Sequence, residues 1–157
     1  MTVADRMAVF MEGRIVQIGT PKEIYLRPAN VTVAAFIGTP PMNLLPAKYS
    51  QGQVTVFGAT LPVAPTAGQD TCDVVLGVRP GDLHIAPDGI AAKVDFVEDL
   101  GDSVIVNLNL GEKRVKVRRD QGPELTEGQS VFLSFEPATA HLYDPQSGLR
   151  IQASTSP

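Results

Sequence analysis

Three carboxylates and a glycine stand together in Glu98-Asp99-Leu100-Gly101-Asp102-Ser103. General acid–base chemistry needs two carboxyl groups in different environments on either side of a pocket. Here the spacing puts them in a hairpin turn between two strand patterns, where solvent levels such differences. Glu98, Asp99, Gly101 and Asp102 therefore read as a solvated turn or as a loop that touches a partner, such as a second copy of the chain. Arg79 ends a strongly apolar stretch and is followed by Pro80-Gly81-Asp82. Its guanidinium is a candidate for binding an oxyanion, or for fixing the turn carboxylate of Asp82. Lys113–Arg119 is the only basic concentration, with Arg114, Lys116 and Arg118 on one face of a strand and Val115 and Val117 on the other. A nucleic-acid site would interleave stacking aromatics with that charge, and none are present. A solvated strand face fits better.

The remaining search for chemistry yields little. No Gly-Lys dipeptide occurs, so there is no Gly-x-x-x-x-Gly-Lys-Ser/Thr phosphate loop. His84 and His141 are far apart and lack metal-ligand spacing, so each reads as a surface or strand-end side chain. Cys72, the single cysteine, cannot form an internal disulfide and fits a reducing compartment. No catalytic, cofactor-binding or metal-binding residue is assigned in this stretch.

The elements that must position these residues differ between the two ends of the chain. Met7–Met11, a Glu12-Gly13 turn and Arg14–Ile18 predict a hairpin, which needs a helix or a larger sheet to cover it. The chain therefore reads as the end of a domain that begins upstream, and the exposed hairpin as an edge liable to pair with another copy. Thr20-Pro21-Lys22-Glu23 carries the signature of a capping box with proline at the first helical position. That helix stops at Arg27-Pro28. Asn30 caps a second, Val31 to Ile37, with Gly38 as its left-handed stop and Val33, Phe36 and Ile37 on its packed face. Thr39-Pro40-Pro41-Met42-Asn43 reads as a linker, dividing the chain into residues 1–40 and 41–153.

From Leu44 the apolar period becomes two. Strands are predicted at Gln53–Phe57, Leu61–Val63 (an edge strand, because of Pro62), Cys72–Arg79, Leu83–Ile85, Ile90–Leu100, Val104–Leu110, Val115–Val117, Ser130–Phe135 and Leu142-Tyr143. Pro65–Asp70 is a loop, and Ala153–Pro157 is expected to fray. Many short strands divided by turn residues point to a mainly β barrel or sandwich. Thirteen prolines and fourteen glycines among 157 residues agree with that reading. A formal net charge of −4 disfavours a nucleic-acid binder, and no apolar run approaches the ~18 residues that cross a bilayer.

Several of these residues also stand in recognisable order. Ala4-Asp5-Arg6, Gly13-Arg14-Ile15, Gln17-Ile18-Gly19-Thr20-Pro21, Glu23-Ile24-Tyr25, Pro28-Ala29-Asn30, Val33-Ala34, Phe36-Ile37-Gly38 and Met42-Asn43 closely resemble the end of the nucleotide-binding domain in ATP-binding-cassette (ABC) import ATPases of the sugar-importer type. Leu76-Gly77-Val78-Arg79-Pro80 with Asp82-Leu83 resembles the signature of that family's regulatory domain. Val97-Glu98-x-Leu100-Gly101 and Phe135-x-Pro137 with His141-Leu142-Tyr143-Asp144 resemble later landmarks. Gly81 departs from the family's usual glutamate.

The resemblance implies a transport-associated, oligonucleotide-binding-type (OB) barrel after residue 40, with a hairpin and two short helices before it. It implies a parent that binds ATP and Mg, dimerises partly through its barrels, and energises membrane permeases from the cytoplasmic face of the plasma membrane. A regulatory protein docks on some members. The stretch itself holds no ATP site, and the transported solute is unreadable, with sugars, polyols and glycerol phosphate all open. The other reading is a free-standing barrel that binds a small oxyanion or oligonucleotide through Arg79 and Lys113–Arg119.

Overall fold

The computed structural model describes residues 6–38, 40–65, 71–122 and 124–151. Ala4-Asp5, Thr39 of the expected linker, the expected loop beyond Pro65 and the tail Ala153–Pro157 lie outside them.

Strands β1 (Met7–Met11) and β2 (Arg14–Gly19) form the antiparallel hairpin, and helices α1 (Pro21–Leu26) and α2 (Val31–Phe36) cover it. The capping box is present: the Thr20 hydroxyl accepts from Glu23 N–H at 3.1 Å, and the Glu23 carboxylate accepts from Thr20 N–H at 2.8 Å. Asn30 Oδ1 caps α2 by accepting from Val33 N–H at 2.9 Å. Gln17 of β2 pins the connection between the helices, donating to Arg27 O at 2.9 Å and accepting from Ala29 N–H at 2.8 Å. Val9, Ile24 and Val33 are buried together, with Met11, Val16 and Ile37 packed against them. Phe36 does not join them and is 73% exposed. The helix ends at Phe36, and Ile37 is already extended, which turns Ile37 inward in its place.

Ten further strands build two antiparallel sheets. One has the order β10 (Lys113–Arg119), β9 (Val104–Leu110), β8 (Ile90–Asp99), β11 (Ser130–Phe135), β7 (Leu83–Ala86). The other runs β12 (His141–Tyr143), β6 (Thr71–Val78), β3 (Asn43–Ser50), β4 (Gln53–Val56), β5 (Ala59–Pro62). Their inner faces enclose one core that includes Leu45, Val54, Leu76, Val94, Val106, Leu108, Val117 and Leu133. This is a mainly β, OB-like fold preceded by a hairpin and two short helices. No helix of the described residues is long and apolar enough to cross a membrane.

Proline falls where a missing donor costs little. Pro62 is on the edge strand β5. Pro46 is on β3 where only β6 pairs with it, because β4 begins to pair at Lys48. The turn expected at Gly58-Ala59 lies one residue earlier. Val56 pairs with Ala59, and Phe57 and Gly58 both adopt positive φ, as a two-residue type I′ connection requires.

The predicted linker is the larger departure. Met42 is 5% exposed and Asn43 8% exposed, and Asn43 opens β3. The Asn43 amide reaches the edge of the other sheet, donating to Lys116 O at 2.8 Å and accepting from Lys116 N–H at 2.9 Å. A side-chain amide thus makes the two bonds that a neighbouring strand would make. Arg118 N–H donates to Pro80 O at 2.8 Å farther along the same edge. Replacing Asn43 by Ala leaves a buried donor and acceptor unpaired. Urea unfolding of Asn43→Ala is expected to show a loss of about 2 kcal/mol with an unchanged m-value.

Candidate functional site

The carboxylate loop joins β8 to β9 as a tight turn, in which Leu100 N–H donates to Ser103 O at 2.9 Å. Its acidic groups point to separate tasks. Asp99 Oδ1 accepts from Gly101 N–H at 2.8 Å and from Gln121 Nε2 at 3.1 Å, and Asp102 Oδ1 accepts from the Ser103 hydroxyl at 3.3 Å. Glu98 turns back along the sheet, where its Oε1 accepts from Asn107 Nδ2 at 2.9 Å and lies 3.9 Å from Lys116 Nζ. Asn107 is buried, so Glu98 satisfies a polar group that would otherwise be stranded. The three carboxylates therefore do not flank one pocket. Beside them Val97 and Leu100 are exposed, Leu100 by 50%.

A one-residue bulge in β8, between Val94 and Phe96, shapes this face. It shifts the alternation, so Phe96 is exposed where strict period two would bury it. Arg114 of β10 covers the Phe96 ring and pairs with Asp95 at 2.7 Å. Arg114 and Lys116 of the basic strand thus face the acidic groups of β8, and Val115 and Val117 fill the core.

Arg79 stands elsewhere, at the junction of the barrel with the hairpin–helix layer. Val75, Gly77, His141 and Tyr143 lie on the face of the β12–β6–β3 sheet that points away from the barrel interior, and the helices cover it. Ala34, Met42 and Tyr143 form a small dry cluster there, with Val31, Leu44 and Val75 against it. A Cβ on Gly77 would run into Met42 Sδ and come within 3.2 Å of the Tyr143 ring, so glycine allows this close packing. The turn after β12 ties the layers together at the backbone, with Val31 N–H donating to Gly148 O and Arg150 N–H to Ala29 O, each at 2.9 Å.

The Arg79 side chain is 4% exposed. Its hydrogen bonds run to the helical layer, Nη1 to Ile37 O at 2.6 Å and Nη2 to Tyr25 O at 2.7 Å. Asp82 is close enough to act on it electrostatically, while the hydrogen bonds of the guanidinium go to the carbonyls. The sequence expectation of an oxyanion or of Asp82 as partner thus gives way to main-chain carbonyls, because α1 and α2 lie over the end of β6. Burial raises the Asp82 carboxyl and Arg79 pulls it back. Tyr25, Gly38, Met42, Asn43 and Tyr143 were not singled out in the sequence as site residues. The one available signal was a charged or amide side chain at each end of an otherwise apolar strand pattern.

Two family models match the chain over overlapping stretches. A TOBE-domain family model matches residues 76–142 and a MalK OB-fold domain model matches residues 38–83. The chain is 40% identical over 158 residues to an uncharacterised ABC transporter ATP-binding protein of Sinorhizobium fredii, covering 96% of this chain and 42% of that protein. It is 39% identical over 173 residues to the sn-glycerol-3-phosphate import ATP-binding protein UgpC of Cupriavidus pinatubonensis, covering 98% of this chain and 46% of the relative. The protein of the same name from a Jannaschia species is 39% identical over 153 residues, covering 96% and 43%.

This chain belongs to the ABC importer ATP-binding subunits, as their C-terminal regulatory region. It spans less than half the length of these curated relatives, 42–46%. The TOBE match begins at Leu76 and ends at Leu142, so the end of β6, Arg79 just after it and the carboxylate loop fall inside it, while Tyr143 of β12 lies one residue beyond.

The junction of this ABC regulatory region has a consequence in acid. His141 sits opposite Gly77 with Nδ1 buried and unbonded, and burial, then Arg150 and Arg79, push its pKa down to about 4. The unfolded chain takes up the proton first, near pH 6.5. The stabilising effect is complete above that value and is lost as pH falls toward 4. Because the side chain is partly exposed, the loss is discounted to about 1–2 kcal/mol. His141→Gln is expected to flatten the pH 4–6.5 limb of a urea-stability profile by that amount.

Proposed function

We propose that this region is the dimer-forming regulatory module of a subunit whose remaining part binds ATP and Mg and hydrolyses the nucleotide. The whole protein would energise import of a small solute, a sugar or a glycerol phosphate, by acting on membrane permease subunits from the cytoplasmic face. A second copy is the first partner, and a regulatory protein a further one on the barrel. The glycerol phosphate reading draws on the names of two relatives, both sn-glycerol-3-phosphate import ATP-binding proteins.

The observation that carries this reading is the continuity of packing between the two layers. Ala34 from the helices, Met42 from the connection and Tyr143 from the barrel share one buried cluster. A force applied to the barrel is thereby delivered to the hairpin–helix layer without a flexible joint, which is what a regulatory appendage needs. Electrostatics weigh against the free oxyanion- or oligonucleotide-binding barrel. The Arg79 guanidinium is engaged by carbonyls, and Arg114 and Lys116 lie against Asp95 and Glu98.

The contact between copies is assigned to the β8–β9 loop, where Val97 and Leu100 present apolar surface beside the Asp99–Asp102 turn. Sedimentation of the chain should reveal a dimer, and Leu100→Asp should weaken it at least tenfold by burying a charge in the contact. An unchanged association constant would remove the loop from the interface. Titration calorimetry with MgATP should give no saturable heat with this chain, and saturable binding would overturn the division of labour proposed here.

A further inference from the structure

We propose that Arg79, Tyr25 and Gly38 form a lock that holds the hairpin–helix layer rigidly on the barrel. This deepens the function proposed above and rests on it only for the purpose of the lock. Helices α1 and α2 have six residues each, far below the length at which a helix is stable in water. Their last carbonyls lack partners within the helix, and those ends favour positive charge. The Arg79 guanidinium serves both at once, through Tyr25 O and the Ile37 O that closes α2. It also lies 4.1 Å from the centroid of the half-exposed Tyr25 ring, which adds a cation–π contact. One side chain, just after β6, thus reaches the C-terminal ends of both helices of the other layer.

The arrangement is all-or-none. The planar fork places two donors on two separate carbonyls, a geometry an ammonium does not reproduce. Any separation of the layers leaves a buried cation and two carbonyls without each other, so partial loosening has no favourable intermediate. Gly38 completes the lock from the opposite side. Its φ is +106°, and a Cβ there would stand 2.8 Å from Arg79 Nη1 and 3.2 Å from Pro40 O. A side chain at residue 38 would displace the guanidinium from Ile37.

Hydrogen exchange on this 157-residue chain tests the lock. Arg79→Lys and Gly38→Ala, made on different elements, should share one signature. Amides of Ile24–Ile37 should exchange at least tenfold faster, while those of β8, β9 and β11 stay within twofold of the parent chain. Unchanged protection of the helices overturns the proposal, and so does an equal loss across the barrel, which would mean general destabilisation. Should either variant fail to fold, Tyr25→Leu keeps both carbonyls and removes only the ring. It should then speed exchange of the same amides two- to fivefold, and no effect would sink the lock. Failure here leaves self-association untouched, whereas loss of the Leu100 effect leaves the lock untouched.

Discussion

Strand β6 is dry on both of its faces at its C-terminal end. Val74, Leu76 and Val78 face the barrel interior, and Val75, Gly77 and Arg79 face the helices. A sheet in that position has little access to water at its margins, so its polar groups depend on protein partners, and two atoms there, Arg79 Nε and His141 Nδ1, are buried without one. Much of the architecture follows from this constraint. Asn43 supplies backbone-like bonds to Lys116, Arg79 reaches the carbonyls of α1 and α2, and the turn after β12 returns to bond Ala29 and Val31.

The same constraint holds the hairpin–helix layer against the barrel. A linker of consecutive prolines is a natural boundary in sequence, and its rigidity is also useful inside a packed junction. Pro40 and Pro41 deliver Met42 and Asn43 at a fixed angle into two different contacts, one with Tyr143 and Ala34, the other with β10. The hairpin and short helices gain stability from the barrel that their own length does not supply. In return they cover apolar sheet surface that would otherwise face water.

The β8–β9 loop has the opposite character. Its carboxylates are partnered within a short turn or against the neighbouring strand, and its apolar side chains are left outward. Self-sufficient polar groups let such a turn approach another surface without a large desolvation penalty. The relatives' ATP-binding subunits extend well beyond the length of this chain.

Local patterning made most elements legible. The capping box at Thr20 and Glu23, the Asn30 cap, the edge position of Pro62 and the inward Val115 and Val117 all follow from periodicity and backbone chemistry that need no tertiary knowledge. Order along the chain also carried the family, because the motifs around Gly38 and Arg79 keep their sequence. Tertiary contacts alone decided the rest. The bulge at Asp95 turned Phe96 outward, since a one-residue slip is invisible to alternation. Burial converted Asn43 from linker residue to strand surrogate, and the position of α1 and α2 over β6 chose carbonyls as the partners of Arg79. Short-range chemistry determines which element a residue joins; which polar atom it meets depends on what the fold stacks above it, and that is a long-range fact.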